Sequence, residues 1–234
     1  MSYSELNPAP ISSTIALLAQ RIHERFPDSG LSEVATELGR VADANTKIVE
    51  QLRHPLWGLR ILTLLTIGAL AALALWAGFQ VARIAKAGDP SLTELLQGVD
   101  AGTNLLILLS IAVLFLVSLE VRLKRRTALR MLHRLRSIAH VVDMHQLTKD
   151  PEHALREVPS TASSPERTLS PGQLARYLDY CSELLALTSK LAALHAQHLQ
   201  DPVILDAVND IESLTADLSR KIWQKITILD IRNA

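Results

Sequence analysis

Cysteine occurs once in this 234-residue chain, at Cys181, and Phe, Tyr and Trp occur three times each. A lone thiol cannot close an intramolecular disulfide, which excludes a small scaffold stapled by cystines. Neither sign of charge is in excess, with 24 Lys and Arg against 24 Asp and Glu. A wholesale nucleic-acid binder would be strongly basic, and no recognition motif accompanies the bases that are present, so nucleic acid is not an expected partner. There is no glycine-rich phosphate loop, no H-E-x-x-H, no G-x-S-x-G and no paired C-x-x-C. Nothing therefore points to an enzyme or to a cofactor. The first residues, MSYSELNPAP, lack the basic n-region and apolar h-region of a secretory signal, so membrane insertion is expected from segments inside the chain.

What is present is apolar: 48% of the residues are hydrophobic, and the excess is concentrated in two runs. The first, ILTLLTIGALAALALWAGF at 61–79, has 19 residues without a charge, enough at ~1.5 Å per residue to cross a hydrocarbon core of about 30 Å. The second, LLILLSIAVLFLVSL at 105–119, has 15 in its strict form, and tolerant neighbours lengthen it on both sides. Aliphatic residues surround both, which is unlike the one-sided stripe of a helix on a soluble core. They predict a two-span transmembrane helical hairpin, with helix 1 over 57–84 and helix 2 over 103–122.

Orientation follows from the bases. Arg122, Lys124, Arg125, Arg126, Arg130, Arg134 and Arg136 follow the second run, and Lys47, Arg53 and Arg60 precede the first, whereas the connection carries Arg83 and Lys86 against Asp89, Glu94 and Asp100. The positive-inside rule then puts both termini in the cytoplasm of a cell with this multi-pass protein in its inner (plasma) membrane, and residues 85–102 outside. Trp57 and Trp76 suit the two interfacial belts. In the outer loop, Ser91 and Glu94 match a capping box before Leu92, Leu95 and Leu96, predicting a short interfacial helix.

Three sets of membrane residues stand out. Arg122, Lys124, Arg125, Arg126 and Arg130 are expected to contact anionic headgroups, each worth about 1 kcal/mol at best. At the inner margin Arg60 and Glu120 fall level, either as an ion pair or as two independent interfacial charges. Gly68 and Ala72 form a small-xxx-small pair where backbones can approach, within the hairpin or between subunits.

On both sides of this hairpin in sequence lie amphipathic helices. In the N-terminal segment (1–56), Leu31, Val34, Leu38, Val41, Asn45, Ile48 and Leu52 alternate by three and four, a coiled-coil-like seam with one polar member. Asn45 either sits buried and fixes register or meets water. Ser32 is the expected helix start, Ser13 to Arg25 an earlier helix, and His54-Pro55 a break. A basic helix over 123–147 continues the second span, and Leu132, Leu135 and Val142 lie on its seam. Residues 148–170, rich in Pro, Ser and Thr, read as a linker. Ser170-Pro171 and Asp201-Pro202 are two helix starts, so residues 171–234 form a helical hairpin. The fold class is thus all-α, with cytoplasmic helical hairpins forming a coiled-coil-like bundle around a two-span anchor.

The candidate metal ligands are weak. His140, Asp143 and His145 cannot all share one helix face, and His195 with His198 is a pair short of a site, so no metal is expected. Cys181 lies on an apolar face between Tyr177 and Leu184, the setting of a structural thiol. The sequence therefore leads to a non-enzymatic integral membrane protein whose seams assemble a homo-oligomer, acting as a membrane-anchored scaffold or a docking module for a cytoplasmic protein. Its rival is an oligomeric channel or pore-forming effector gated through the cytoplasmic helices.

Overall fold

The structure is a computed structural model that describes residues 5–86, 92–149, 151 and 169–231. Every element among them is an α-helix: α1 (Pro8–Arg25), α2 (Gly30–Arg53), α3 (Trp57–Lys86), α4 (Leu92–Leu147), α5 (Pro171–His198) and α6 (Pro202–Ile231). They fall into two compact units, residues 54–124 in one, and the chain up to Arg53 with the chain from Arg125 in the other. Most of the expected linker, and Ser91 of the expected capping box, lie outside the described residues.

Local chemistry sets the helix boundaries. Asn7 caps α1 by accepting the Ala9 N–H at 3.0 Å, with Pro8 in the first turn. Ser170 and Gln173 make a reciprocal capping box ahead of Pro171, and the Asp201 carboxylate accepts the Val203 N–H at 3.0 Å beside Pro202. These starts use oxygen acceptors for donors that have no intrahelical partner, and proline where no N–H is needed. The break between α2 and α3 contains His54-Pro55, where proline disfavours a helical residue before it. Two expected starts are corrected. Helix α1 begins at Pro8, ahead of the expected Ser13, because Asn7 supplies the cap. Helix α2 begins at Gly30, and Ser29 accepts the Ser32 N–H through its own hydroxyl and carbonyl. Ser32 is inside the helix, buried, and its hydroxyl faces His23 Nδ1 at 3.2 Å.

In the unit of residues 54–124, α3 and the first part of α4 lie side by side and antiparallel. Arg60 meets Glu120 near one end, while Leu73, Ala77, Gly102 and Leu106 share a cleft at the other. The partly buried residues of α3 (Leu59, Thr63, Thr66, Leu70, Leu73, Ala77, Gln80) recur every three or four positions, one stripe of a helix against one neighbour. Both helices are long and apolar enough to cross a membrane, and no residue of either most apolar 18-residue stretch is buried. The expected separate interfacial helix does not form. Residues from Leu92 onward are the first turns of α4 itself, which runs without interruption to Leu147.

The other unit is built from α1, α2, the end of α4, α5 and α6 around one hydrophobic core. Ile15, Leu18 and Ile22 of α1, Leu31 and Leu38 of α2, Leu132 and Leu135 of α4, Leu178, Leu184 and Leu191 of α5, and Ile211 and Ile222 of α6 are all buried in it. The residues read as an oligomer seam are among them: Leu31, Val34, Leu38, Val41, Asn45, Leu52, Leu132, Leu135 and Val142 are buried inside a single chain. They are the chain's own core, not a surface held ready for a second copy. Ile48 departs from the expected pattern and is only partly buried, with Val49 buried in its place. A straight helix drifts about 20° per heptad against a 3.5-residue repeat, so the buried stripe that starts at Leu31 returns after five turns to Val49.

Candidate functional site

The chemistry-bearing residues of the unit 54–124 gather at one end of α3 and α4. Glu120, projecting from α4, accepts the Leu56 N–H at 3.3 Å, faces Arg60 Nε at 3.4 Å and pairs with Lys124 Nζ at 3.3 Å. Of the two readings left open for Arg60 and Glu120, the structure has the ion pair. Leu56 stands just ahead of the first turn of α3, where the helix dipole favours an anion, so one carboxylate both steadies that helix end and ties it to α4.

The five expected headgroup bases divide. Lys124 is engaged by Glu120, and Arg125 by Asp201, whose Oδ2 accepts from Nε at 2.9 Å and also from Nη2. Arg122, Arg126 and Arg130 are exposed. Gly68 and Ala72 are exposed too, and a Cβ added at Gly68 would meet nothing within 4 Å. That face is unused between α3 and α4, because it lies off the stripe that α3 turns toward its neighbour.

Hydroxyls within the apolar helices are committed to their own backbone. Thr63, Thr66 and Ser110 donate to carbonyls four residues back, and Ser118 to one three back, at 2.7 to 2.9 Å. Their protons are thereby withdrawn from any ligand or water column.

Besides the Arg125–Asp201 pair, two polar contacts of the five-helix unit that the sequence does not foretell concern buried or partly buried groups. Asn45 Nδ2 donates to the Leu191 carbonyl at 3.2 Å, and its Oδ1 lies 2.7 Å from His195 Nε2. A carbonyl only accepts, so the amide orientation is fixed and His195 must donate from Nε2. Asn45 and His195 are both buried, which resolves the open choice for Asn45 in favour of burial, with α5 of the same chain as its partner. Replacing Asn45 by alanine leaves that donor without its acceptor and is expected to cost about 2 kcal/mol. The double change Asn45→Leu, His195→Phe should recover most of it. Chemical denaturation of the full-length protein in micelles measures both, and a double variant no better than the single one would refute the pairing.

In the second contact, Lys225 Nζ donates to the Gln146 carbonyl at 2.8 Å, to Gln146 Oε1 at 2.7 Å and to the Lys149 carbonyl at 3.3 Å. A cation thus closes the negative end of α4. Close by, Gly30 leaves room for the His145 ring, because a Cβ there would collide with its Cε1. A ring cluster of Phe26 with Tyr177 and Tyr180 (centroids 5.4 and 6.3 Å apart, edge to face) closes the same end.

No group of three metal-ligating side chains occurs among the described residues. His140 is exposed, and Asp143 accepts from the Gln146 amide at 2.6 Å. Cys181 is buried, and burial pushes its thiol up to about 12 despite the opposing pull of Lys225 and Lys149. Such a thiol is not a nucleophile at neutral pH. Comparison with known proteins brings no relative to this arrangement: no family model matches the chain, and neither a curated protein nor a solved structure matches it.

Proposed function

We propose that this is an integral membrane protein in which α3 and the first half of α4 span the inner membrane and anchor a cytoplasmic docking module, the five-helix unit. It is a non-enzymatic scaffold, with both termini cytoplasmic and a cytoplasmic protein as its client. The carrying observation is a contrast within one chain: the most apolar stretches of α3 and α4 have no buried residue, while the remaining helices close a core of their own. Core helices of a soluble protein would be covered; helices whose solvent is lipid need not be. Self-assembly belongs, on this reading, to the exposed small-residue face at Gly68 and Ala72, since the former seam residues are already occupied. The apolar faces and the self-bonded hydroxyls favour an anchor over a polar conduit.

Full-length protein in sealed liposomes tests this. It should stay with the vesicles through an alkaline carbonate wash and pass no ions above the level of empty vesicles. Release by the wash would refute the membrane anchor. Flux that a Gly68→Leu change alters would transfer the reading to an oligomeric channel gated through its cytoplasmic helices.

A further inference from the structure

The chain leaves the five-helix unit at Arg53 and re-enters it at Arg125, so one end of that unit is the end joined to the two apolar helices. Further segments converge there. Phe26, just ahead of α2, packs on Tyr177 of α5, and Asn45 further along α2 meets Leu191 and His195. Hence α2 and α5 run parallel, and the last turn of α5 lies by the last turns of α2. The α5–α6 turn follows, clasped to Arg125 through Asp201. The Gln197 amide stands against the Leu6 backbone, which brings in the N-terminal segment.

This end has the chemistry of a surface meant for lipid. Leu6, Val203 and Leu205 are 40%, 43% and 38% exposed. Side chains lean toward the N-terminus of their helix, so Val203 and Leu205, in the first turn of α6, lean outward from this end. Arg53, at the end of α2, and Arg126, next to Arg125 on α4, are exposed. The carboxylate of the turn, Asp201, would be repelled by anionic headgroups if left alone, but Arg125 neutralises it while it caps α6.

We propose that this end of the five-helix unit is a peripheral lipid-contact surface. Leu6, Val203 and Leu205 enter the inner headgroup layer, and Arg53 and Arg126 meet the phosphates of anionic lipid. The proposal rests on the reading of α3 and α4 as membrane spans and adds to it a contact made by the C-terminal hairpin, far in sequence from either span. It makes the unit lie against the bilayer, and leaves its opposite end, with Phe26, Tyr177 and Lys225, for a protein client.

The test uses full-length protein in vesicles of phosphatidylcholine and phosphatidylglycerol that carry lipid spin-labelled at a shallow or a deep position. A fluorophore is attached through Val203→Cys, Leu205→Cys, Leu65→Cys or Asp217→Cys, one at a time; Cys181 stays in place because its burial keeps it unreactive. Shallow spin label should quench positions 203 and 205 several-fold more than 217, and deep label should quench 65. If 65 is quenched while 203 and 205 behave like 217, this surface is refuted and the spans stand. If 65 is not quenched, both readings fall together.

Discussion

Leu135→Ala is expected to destabilise the five-helix unit by about 3 kcal/mol, with no dependence on protein concentration. Leu135 has 0% exposure and stands midway along the part of α4 that the unit shares, so truncation opens a cavity that rigid neighbours on several helices cannot all collapse to fill. The concentration test gives the number its meaning. A stripe buried in its own chain gives a denaturation midpoint that is the same at any dilution, whereas a stripe buried between subunits gives a midpoint that falls as dilution separates them. Leu64→Ala is the control: Leu64 is 67% exposed on α3, and its truncation should move the denaturation midpoint of the unit by no more than about 0.5 kcal/mol. Circular dichroism against urea, on full-length protein in micelles at two concentrations, reads all of this. Midpoints of the unchanged protein and of Leu135→Ala that both fall on dilution would restore the intersubunit seam.

That experiment bears on what a sequence can and cannot say about such a stripe. Periodicity shows that Leu31, Leu38, Leu135 and Val142 are buried, because a helix exposes one face to each neighbour. It does not show against what, since an apolar face is satisfied equally by another helix of the same chain or of a second copy. The helix starts at Ser170 and Asp201 depend on residues two or three positions apart and are legible for that reason, whereas the start at Asn7 is hidden by a proline-rich first turn, and the apolar stripe alone puts that helix at Ser13. The pairing of Asn45 with His195 spans 150 positions. A single polar residue in each of two apolar stripes hints that each needs a partner, but only the packing brings them to the same level.

The ion pair of Arg60 and Glu120 lies between these cases. Two antiparallel helices joined by a short connection put their near ends level, so the pairing can be read from spacing alone once the helices are accepted. The beginning of α4 cannot. Gly98 and Gly102 each disfavour a helix by about 1 kcal/mol relative to alanine, and a polar stretch with Ser and Pro ahead of them looks like a loop; yet the helix is continuous from Leu92. The apolar helix that follows is already nucleated, and extending it backward by one residue costs far less than starting another.

Alkaline pH should remove up to about 4 kcal/mol from the same unit through one buried thiol. Cys181 loses its proton at 9.0 in an ordinary setting and at about 12 in the folded chain, where burial disfavours the thiolate more than Lys225 and Lys149 favour it. Above 9.0 the unfolded chain gives up this proton while the folded chain keeps it. The native state then binds more protons than the unfolded one, and stability must fall as pH rises. The contribution is whole below 9.0, declines through the interval, and is gone by about 12. Tyr177, one helical turn away, acts in the same sense: burial first, and a neighbouring Cys181 thiolate second, hold its phenol above the usual 10.0. Cys181→Ala separates the thiol from every other alkaline titration, since it lowers stability at neutral pH through a small cavity but should flatten the slope against pH above 9.0. Equal slopes for the two proteins would mean that the thiol titrates alike in both states and is not sealed in the core. The flattened slope would place Cys181 as a packing residue held between Tyr177 and Leu184, with its ionisation opposed by burial in the same core that Leu135→Ala disrupts.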